Sequence, residues 1–145
     1  MTLKFSHAAL RAAIAAGALV AATAAYADTT VNVSLSGEGG SKMEMKLDKP
    51  AVPAGKVTFV VKNDAMTENH EMVVIKLKSK DQALPLDAAK HRIDEKKLKS
   101  MGEVADLKPG SQGNLNVTLK PGSYVLLCNI KGHYEAGMWS NLTVE

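Results

Sequence analysis

The sequence predicts an all-β fold, an antiparallel β-sandwich of seven or eight short strands with a short helical insertion around residues 86–99. Three observations carry that reading. Apolar and polar residues alternate with period two in one segment after another, as half-buried strands require. Turn-forming Gly and Pro clusters fall between those segments at short intervals. The chain has 145 residues, the length of one domain, with a leader and then a single body rather than two bodies.

The elements follow in order. Residues 1–27 read as a secretory signal peptide. Lys4, His7 and Arg11 give a positive start, Ala12 to Ala25 an apolar run, and Ala25-Tyr26-Ala27 an A-x-A cleavage signature, so the mature chain begins at Asp28. The apolar run is short of the roughly 20 residues that a membrane span needs, so no span is expected once the leader is cleaved. No twin Arg is present, and no Cys follows the apolar run to take a lipid. The alternative is an uncleaved anchor helix. The favoured reading implies an exported bacterial protein, placed in the periplasm, with residues 28–145 as its one folded domain.

Val31, Val33 and Leu35 alternate with Asn32, Ser34 and Ser36 and form a first strand. A turn over Gly37-Glu38-Gly39-Gly40-Ser41 follows. Met43, Met45 and Leu47 then line the apolar face of a second strand, where core packing is a plainer use of the Met pair than Cu(I) capture. Pro50, Pro53 and Ala54-Gly55 punctuate the link to a strand with Val57, Phe59 and Val61 on one face. Residues 71–77 form the next, apolar enough from Met72 to Ile75 to lie inside a sheet.

Residues 78–104 break the β pattern. Asp87 is placed to cap a helix, Ala88 to Lys99 are mostly good helix formers, and Gly102 is placed to stop it. Lys90, Arg92, Lys96, Lys97 and Lys99 outweigh Asp94 and Glu95 here, either a solvated face or a surface that steers an acidic redox partner. Lys108-Pro109-Gly110 and Lys120-Pro121-Gly122 are turns. They flank a strand with Leu115, Val117 and Leu119 on one face. Tyr124, Leu126 and Cys128 share a face of the strand after it. Leu142 and Val144 mark the last strand.

Charge excludes one large class of function. The whole chain carries 18 basic and 15 acidic residues. Removing Lys4 and Arg11 with the leader leaves 16 against 15, a net of +1. No basic stretch is interleaved with aromatics, so no nucleic-acid partner is expected.

The informative stretch is Cys128 to Met138. It holds the only Cys of the chain, His133 five positions on and Met138 five further. A lone Cys excludes an internal disulfide framework and a CxxC motif. Thiolate, imidazole and thioether are soft ligands, and a His₂Cys trigonal set with a weak axial Met is the arrangement of blue copper centres. One His is missing from the stretch. His70 sits where a turn-rich run meets the apolar run Met72 to Ile75, a junction that exposes a ring while the strand fixes its backbone. His91 lies in the charged run and reads as solvated. The plain alternative is a buried Cys and a core Met beside two unrelated histidines.

At these residues the chain resembles the cupredoxin family, small Greek-key sandwiches that hold one copper between loops at one end. Val57 to Asn63 is similar to the strand before the first ligand loop, and His70 to the first His ligand. Pro121 to Cys128 is similar to the strand that delivers the Cys, and His133 and Met138 complete the set. The Cys-x₄-His-x₄-Met spacing resembles rusticyanin, auracyanin and sulfocyanin. One position departs: where many members carry Asn or Ser after the first His to tie the ligand loops, this chain has Glu71.

The resemblance implies one copper ion cycling between Cu(I) and Cu(II), held by His70, Cys128, His133 and Met138, with His133 nearest the surface as the electron's route. It implies a monomeric carrier of single electrons between donor and acceptor redox proteins. A carrier with copper as cargo is the alternative. An enzyme with further copper centres needs many more histidines than His70, His91 and His133, so no catalysis is expected. Replacing Cys128→Ser or His70→Ala is expected to change copper affinity and spectrum in a copper titration, and His91→Ala to change neither.

Overall fold

Two sheets face each other because strands of alternating character can bury only one side. The computed structural model describes residues 28–145; the expected leader, residues 1–27, lies outside the described residues. In chain order the strands are β1 (Thr29–Ser36), β2 (Glu44–Leu47), β3 (Ala51–Val52), β4 (Gly55–Asn63), β5 (His70–Lys76), β6 (Leu86–Asp87), β7 (Arg92–Ile93), β8 (Lys99–Leu107), β9 (Gln112–Leu119), β10 (Gly122–Leu127) and β11 (Trp139–Val144). One sheet has the order β2-β1-β4-β9 and the other β3-β11-β10-β5-β8. Most neighbours are antiparallel, but β1 runs parallel to β4 and β3 parallel to β11.

The core lies between the sheets. Val31, Val33, Leu35, Val57, Phe59 and Val61 project from the first sheet. Met72, Val74, Tyr124, Leu126, Leu142 and Val144 meet them from the second, and Met45 of β2 and the nearby Met43 add to this core as expected. The Tyr124 hydroxyl donates to the Lys120 carbonyl at 2.7 Å, so the ring is buried without leaving its polar end unpaired. The outer face of β5 and β10 is also apolar, at Val73, Ile75, Val125 and Leu127. That explains the continuous apolar run of β5: both of its faces are covered.

What covers the outer face corrects the sequence reading. No helix forms over residues 86–99. Instead β6 and β7 pair as a small antiparallel ribbon, with Leu86 opposite Ile93, and only Glu95–Lys97 makes a single 3₁₀ turn. Asp87 does cap, but it caps a tight turn: its Oδ1 accepts from the N–H groups of Ala89 and Lys90 at 3.1 and 3.2 Å. His91 follows with φ +54°, outside the helical region. The physical reason is tertiary. Leu77, Leu84, Ile93 and Leu98 pack over Val73, Ile75, Val125 and Leu127, and an extended path spreads them across that face. Helix propensity of a few tenths of a kcal/mol per residue yields to such burial.

The stretch expected to break the β pattern also contains β8, which joins β5 as the last strand of its sheet. With β8 and the two-residue β3, the two main sheets hold nine strands rather than seven or eight. Two cations of the charged run are paired, Lys90 to Asp87 at 2.7 Å and Lys97 to Asp94 at 3.2 Å. Among the described residues no helix is long and apolar enough to cross a membrane.

Phe59 has no exposed surface and sits at the centre of the first sheet. Phe59→Ala is expected to destabilise the fold by about 3–5 kcal/mol, the cost of a large buried void, read as a lowered urea midpoint with an unchanged slope.

Candidate metal centre

Three neighbouring strands bring the candidate ligands to one end of the second sheet. His70 is the first residue of β5, Cys128 follows the last residue of β10, and Met138 precedes the first residue of β11. Because β10 lies between β5 and β11, with Leu127 opposite both Val73 and Trp139, these three positions are lateral neighbours. His133 lies in the loop that joins β10 to β11.

That loop is held by its own backbone. The Cys128 N–H donates to the Met138 carbonyl, the Met138 N–H to the His133 carbonyl, and the His133 N–H to the Ile130 carbonyl, each at 3.0 Å. Two glycines make the tight course possible. Gly132 has φ +82° and Gly137 φ +98°, and a Cβ on Gly137 would lie 3.3 Å from the Met43 carbonyl oxygen.

His70, Cys128 and His133 come together as expected, with their donor atoms within 4.8 Å of one another. His70 Nδ1 lies 3.2 Å from His133 Nδ1, and Cys128 Sγ 3.4 Å from His133 Nδ1. The orientation of His70 is fixed from behind. Its Nε2 is 3.1 Å from the Gly37 carbonyl, which can only accept, so Nε2 carries the proton and Nδ1 presents a bare lone pair inward. Gly37 comes from the β1–β2 turn at φ +124°, and a Cβ there would fall 2.8 Å from the Met43 Cα.

Donors that share one metal at about 2.0–2.3 Å stand about 3.5 Å apart in a trigonal plane. The observed spacings fit such an ion, and the chemistry of the set, two imidazoles and a thiol, fits a soft one. Met138 is fully buried in the same core cluster as Cys128, with its backbone bonded to both Cys128 and His133. His91 stands apart as expected. It is exposed, and its Nδ1 lies 2.8 Å from Glu135 Oε2.

Burial shapes the electrostatics. It pushes the His70 imidazole below its ordinary range, partly offset by the Gly37 carbonyl. It lowers His133 too, with His70 adding to the effect. Burial pushes the Cys128 thiol up to about 11, while the N–H groups of Ile130 and Glu71 pull the other way. The metal-free site is therefore neutral near pH 7, with both imidazoles uncharged and the thiol protonated.

Several supporting residues were not read as such from the sequence. Asn63, at the end of β4, donates from its side chain to the Glu68 and Leu107 carbonyls, both at 2.8 Å, and accepts from the Ala65 N–H at 3.0 Å. It thereby fixes the turn that leads to His70. Glu38 accepts from the Met66 and Thr67 backbone and from the Thr67 hydroxyl, tying the β1–β2 turn to the same loop. A buried Asn at a strand end was the one signal available; the Gly37 carbonyl gave none. Glu71 does tie the loops together. Its N–H donates to Cys128 Sγ at 3.4 Å, and its carboxylate accepts from the Asn129 N–H at 3.0 Å. Burial raises its pKa, which the Asn129 N–H partly reverses.

A family model described as "Sulfocyanin (SoxE) domain" matches residues 18–145. The chain belongs to the sulfocyanin family. It is therefore a blue copper protein of the cupredoxin group, whose members bind one copper and transfer electrons, and the cluster described above is its candidate type 1 site. Solved structures agree. Reduced auracyanin from Roseiflexus castenholzii is 25% identical with a TM-score of 0.56, over 81% of this chain and 97% of that one. Auracyanin B is 24% identical with a TM-score of 0.56, over 83% and 90%. Rusticyanin from Thiobacillus ferrooxidans is 17% identical with a TM-score of 0.62, over 81% and 77%, a likeness of fold. No curated protein sequence matches.

The Cys128 shift has a measurable consequence in this sulfocyanin-family fold. Its folded value of about 11 lies above the ordinary 9.0, so the folded state holds the proton more tightly than the unfolded one. Stability from this group is fully present below pH 9 and is lost as pH rises through 11, by roughly 2–3 kcal/mol. Urea midpoints of the metal-free protein are expected to fall more between pH 9 and 11 than those of Cys128→Ala. Equal falls would show that the thiol is not held protonated.

Proposed function

We propose that His70 Nδ1, Cys128 Sγ, His133 Nδ1 and the Met138 thioether hold one copper ion, and that the protein carries single electrons between redox proteins outside the cytoplasm. The observation that carries this reading is the buried trio of donors at 3.2 and 3.4 Å, inside a loop whose ends are bonded to each other. Bound copper supplies a one-electron couple between Cu(I) and Cu(II).

The chain's residues do the rest. Cys128 would hold the ion as a thiolate, and the Glu71 N–H is in place to donate to that sulfur. His70 is already the correct tautomer, and His133 is already neutral, so neither has to lose a charge. Gly37, Asn63 and the loop backbone keep the donors in place, which leaves little to reorganise when the charge changes. Met138 would offer its thioether as a further soft donor, and the apolar packing around Cys128 would help set the potential. His70, Cys128 and Met138 have no exposed surface, and His133 keeps a 6% edge. That edge supports His133 as the electron's route. The same enclosure disfavours copper as cargo, since release would require the loop to open.

Export belongs to the same reading. Residues 1–27 are removed as a signal peptide, and the domain from Asp28 onward works in the periplasm as a monomer without a catalytic role of its own. The lysines of the insertion, partly paired with Asp87 and Asp94, contribute at most weak steering to a partner.

The test is the visible spectrum of the exported protein loaded with one equivalent of Cu(II), followed by a mild reductant and reoxidation. An intense thiolate-to-copper band that bleaches and returns is expected. Tight binding without that band would favour copper carriage, and no binding would sink both readings.

A further inference from the structure

The insertion between β5 and β8 does more than cover the outer face of the sheet. It is fastened to the residue next to the candidate thiolate. Asn129 follows Cys128 directly, is 6% exposed, and uses both polar atoms of its side chain. Its Oδ1 accepts from the Ile93 N–H at 2.7 Å, and its Nδ2 donates to the Ile93 carbonyl at 2.9 Å and to Glu95 Oε1 at 2.6 Å. The side-chain amide thus pairs with both backbone groups of Ile93, as a strand neighbour would. Its own N–H goes to Glu71 Oε1 at 3.0 Å. A second fastening lies three residues on, where the Gly132 N–H donates to the His91 carbonyl at 2.8 Å.

These bonds join the insertion to the ligand loop at two points, on either side of Ile130. The insertion is itself anchored, because Ile93 is buried against the outer face of β5 and β10. Asn129 cannot shift without breaking buried bonds, each costly to leave unmade. Cys128 is one peptide away. The bonds on Asn129 fix the Cys128–Asn129 peptide plane, and with it the Cys128 backbone that carries Sγ. Partners at this remove typically change metal affinity 10–100-fold when removed.

Building on the copper reading, we propose that residues 84–98 are a positioning element of the metal centre, acting through Asn129, and that they set the ratio of Cu(I) to Cu(II) affinity in this protein. Asn129 is the positioning residue, and Glu95 is the contact that locks its amide. The His91 link is through the backbone, so replacing the His91 side chain leaves it in place.

The experiment compares copper-loaded parent protein with Asn129→Ala, Glu95→Ala, Glu95→Gln and a surface control in the same segment, Lys96→Ala. Three quantities are read: the energy of the thiolate-to-copper band, the reduction potential, and the urea midpoint. A staple with only a structural role would lower the midpoint and leave band and potential unmoved. Asn129→Ala is expected to keep the band but displace it, and to change the Cu(I)/Cu(II) affinity ratio about tenfold or more, which is 59 mV for a one-electron couple. Glu95→Ala moves both in the same direction by about threefold or more, Glu95→Gln returns them toward the parent because an amide oxygen still accepts from Asn129, and Lys96→Ala moves neither.

Folded Asn129→Ala with unmoved band and potential would overturn the proposal. If Asn129→Ala does not fold, Glu95→Ala decides alone, and an unmoved potential there overturns it. An equal shift in Lys96→Ala would also overturn it, since the effect would not depend on these bonds. A parent protein without the band would defeat the copper reading itself, and this proposal with it. A parent with the band and variants without a shift would defeat this proposal alone.

Discussion

The bond from the Cys128 N–H to the Met138 carbonyl is the constraint on which the site depends. It joins the two ends of the ligand loop at the point where β10 and β11 part, and it extends their pairing by one step beyond Leu127 and Trp139. With the ends fixed, the residues between them have few paths. The positive φ angles at Gly132 and Gly137 and the bonds at His133 and Met138 select one that turns the His133 ring back toward Cys128. On the other flank, the pairing of β5 with β10 sets His70 beside the same point. The sheet therefore supplies the coarse placement of the donors, and the loop's own hydrogen bonds supply the fine placement.

Burial then gives the arrangement its character. Two imidazoles and a thiol facing one another in water would be hydrated, mobile and partly charged. Here desolvation keeps all three neutral in the metal-free state, so they approach closely without repulsion. The polar groups around them are satisfied by the protein: among the described residues no buried side-chain nitrogen or oxygen lacks a partner. These bonds hold the donors in one arrangement, so that little would move when an electron does.

Much of this was legible in the sequence, and the limits have physical reasons. Alternation at Val31, Val33 and Leu35, and at Val57, Phe59 and Val61, marked strands because one face of each is buried and period two leaves a plain trace. Cys128, His133 and Met138 were legible because they lie in one short loop, and His70 because a turn ends where an apolar run begins. Residues 86–99 misled because their local propensities are helical while their apolar side chains serve a distant surface, and because the Ile93 backbone groups are claimed by Asn129. No local pattern announces a partner 36 residues away. The role of Gly37 was equally hidden, since what it offers is a carbonyl, which every residue has. Glu71 was read as a departure that left the joining of the loops open; its carboxylate in fact accepts from the Asn129 N–H and so joins β5 to the ligand loop.

The enclosure of Cys128 has a consequence for the life of the protein before it meets copper. A free thiol in an oxidising compartment is open to mispairing with other thiols and to stepwise oxidation, and in both cases the thiolate is the vulnerable form. With the thiol held up to about 11 and without exposed surface, only about one molecule in ten thousand carries a thiolate at pH 7, and that one is shielded from collision. The same enclosure that would hold a bound ion in place thus keeps the unbound thiol from side reactions, and both protections rest on the one loop that covers the sulfur.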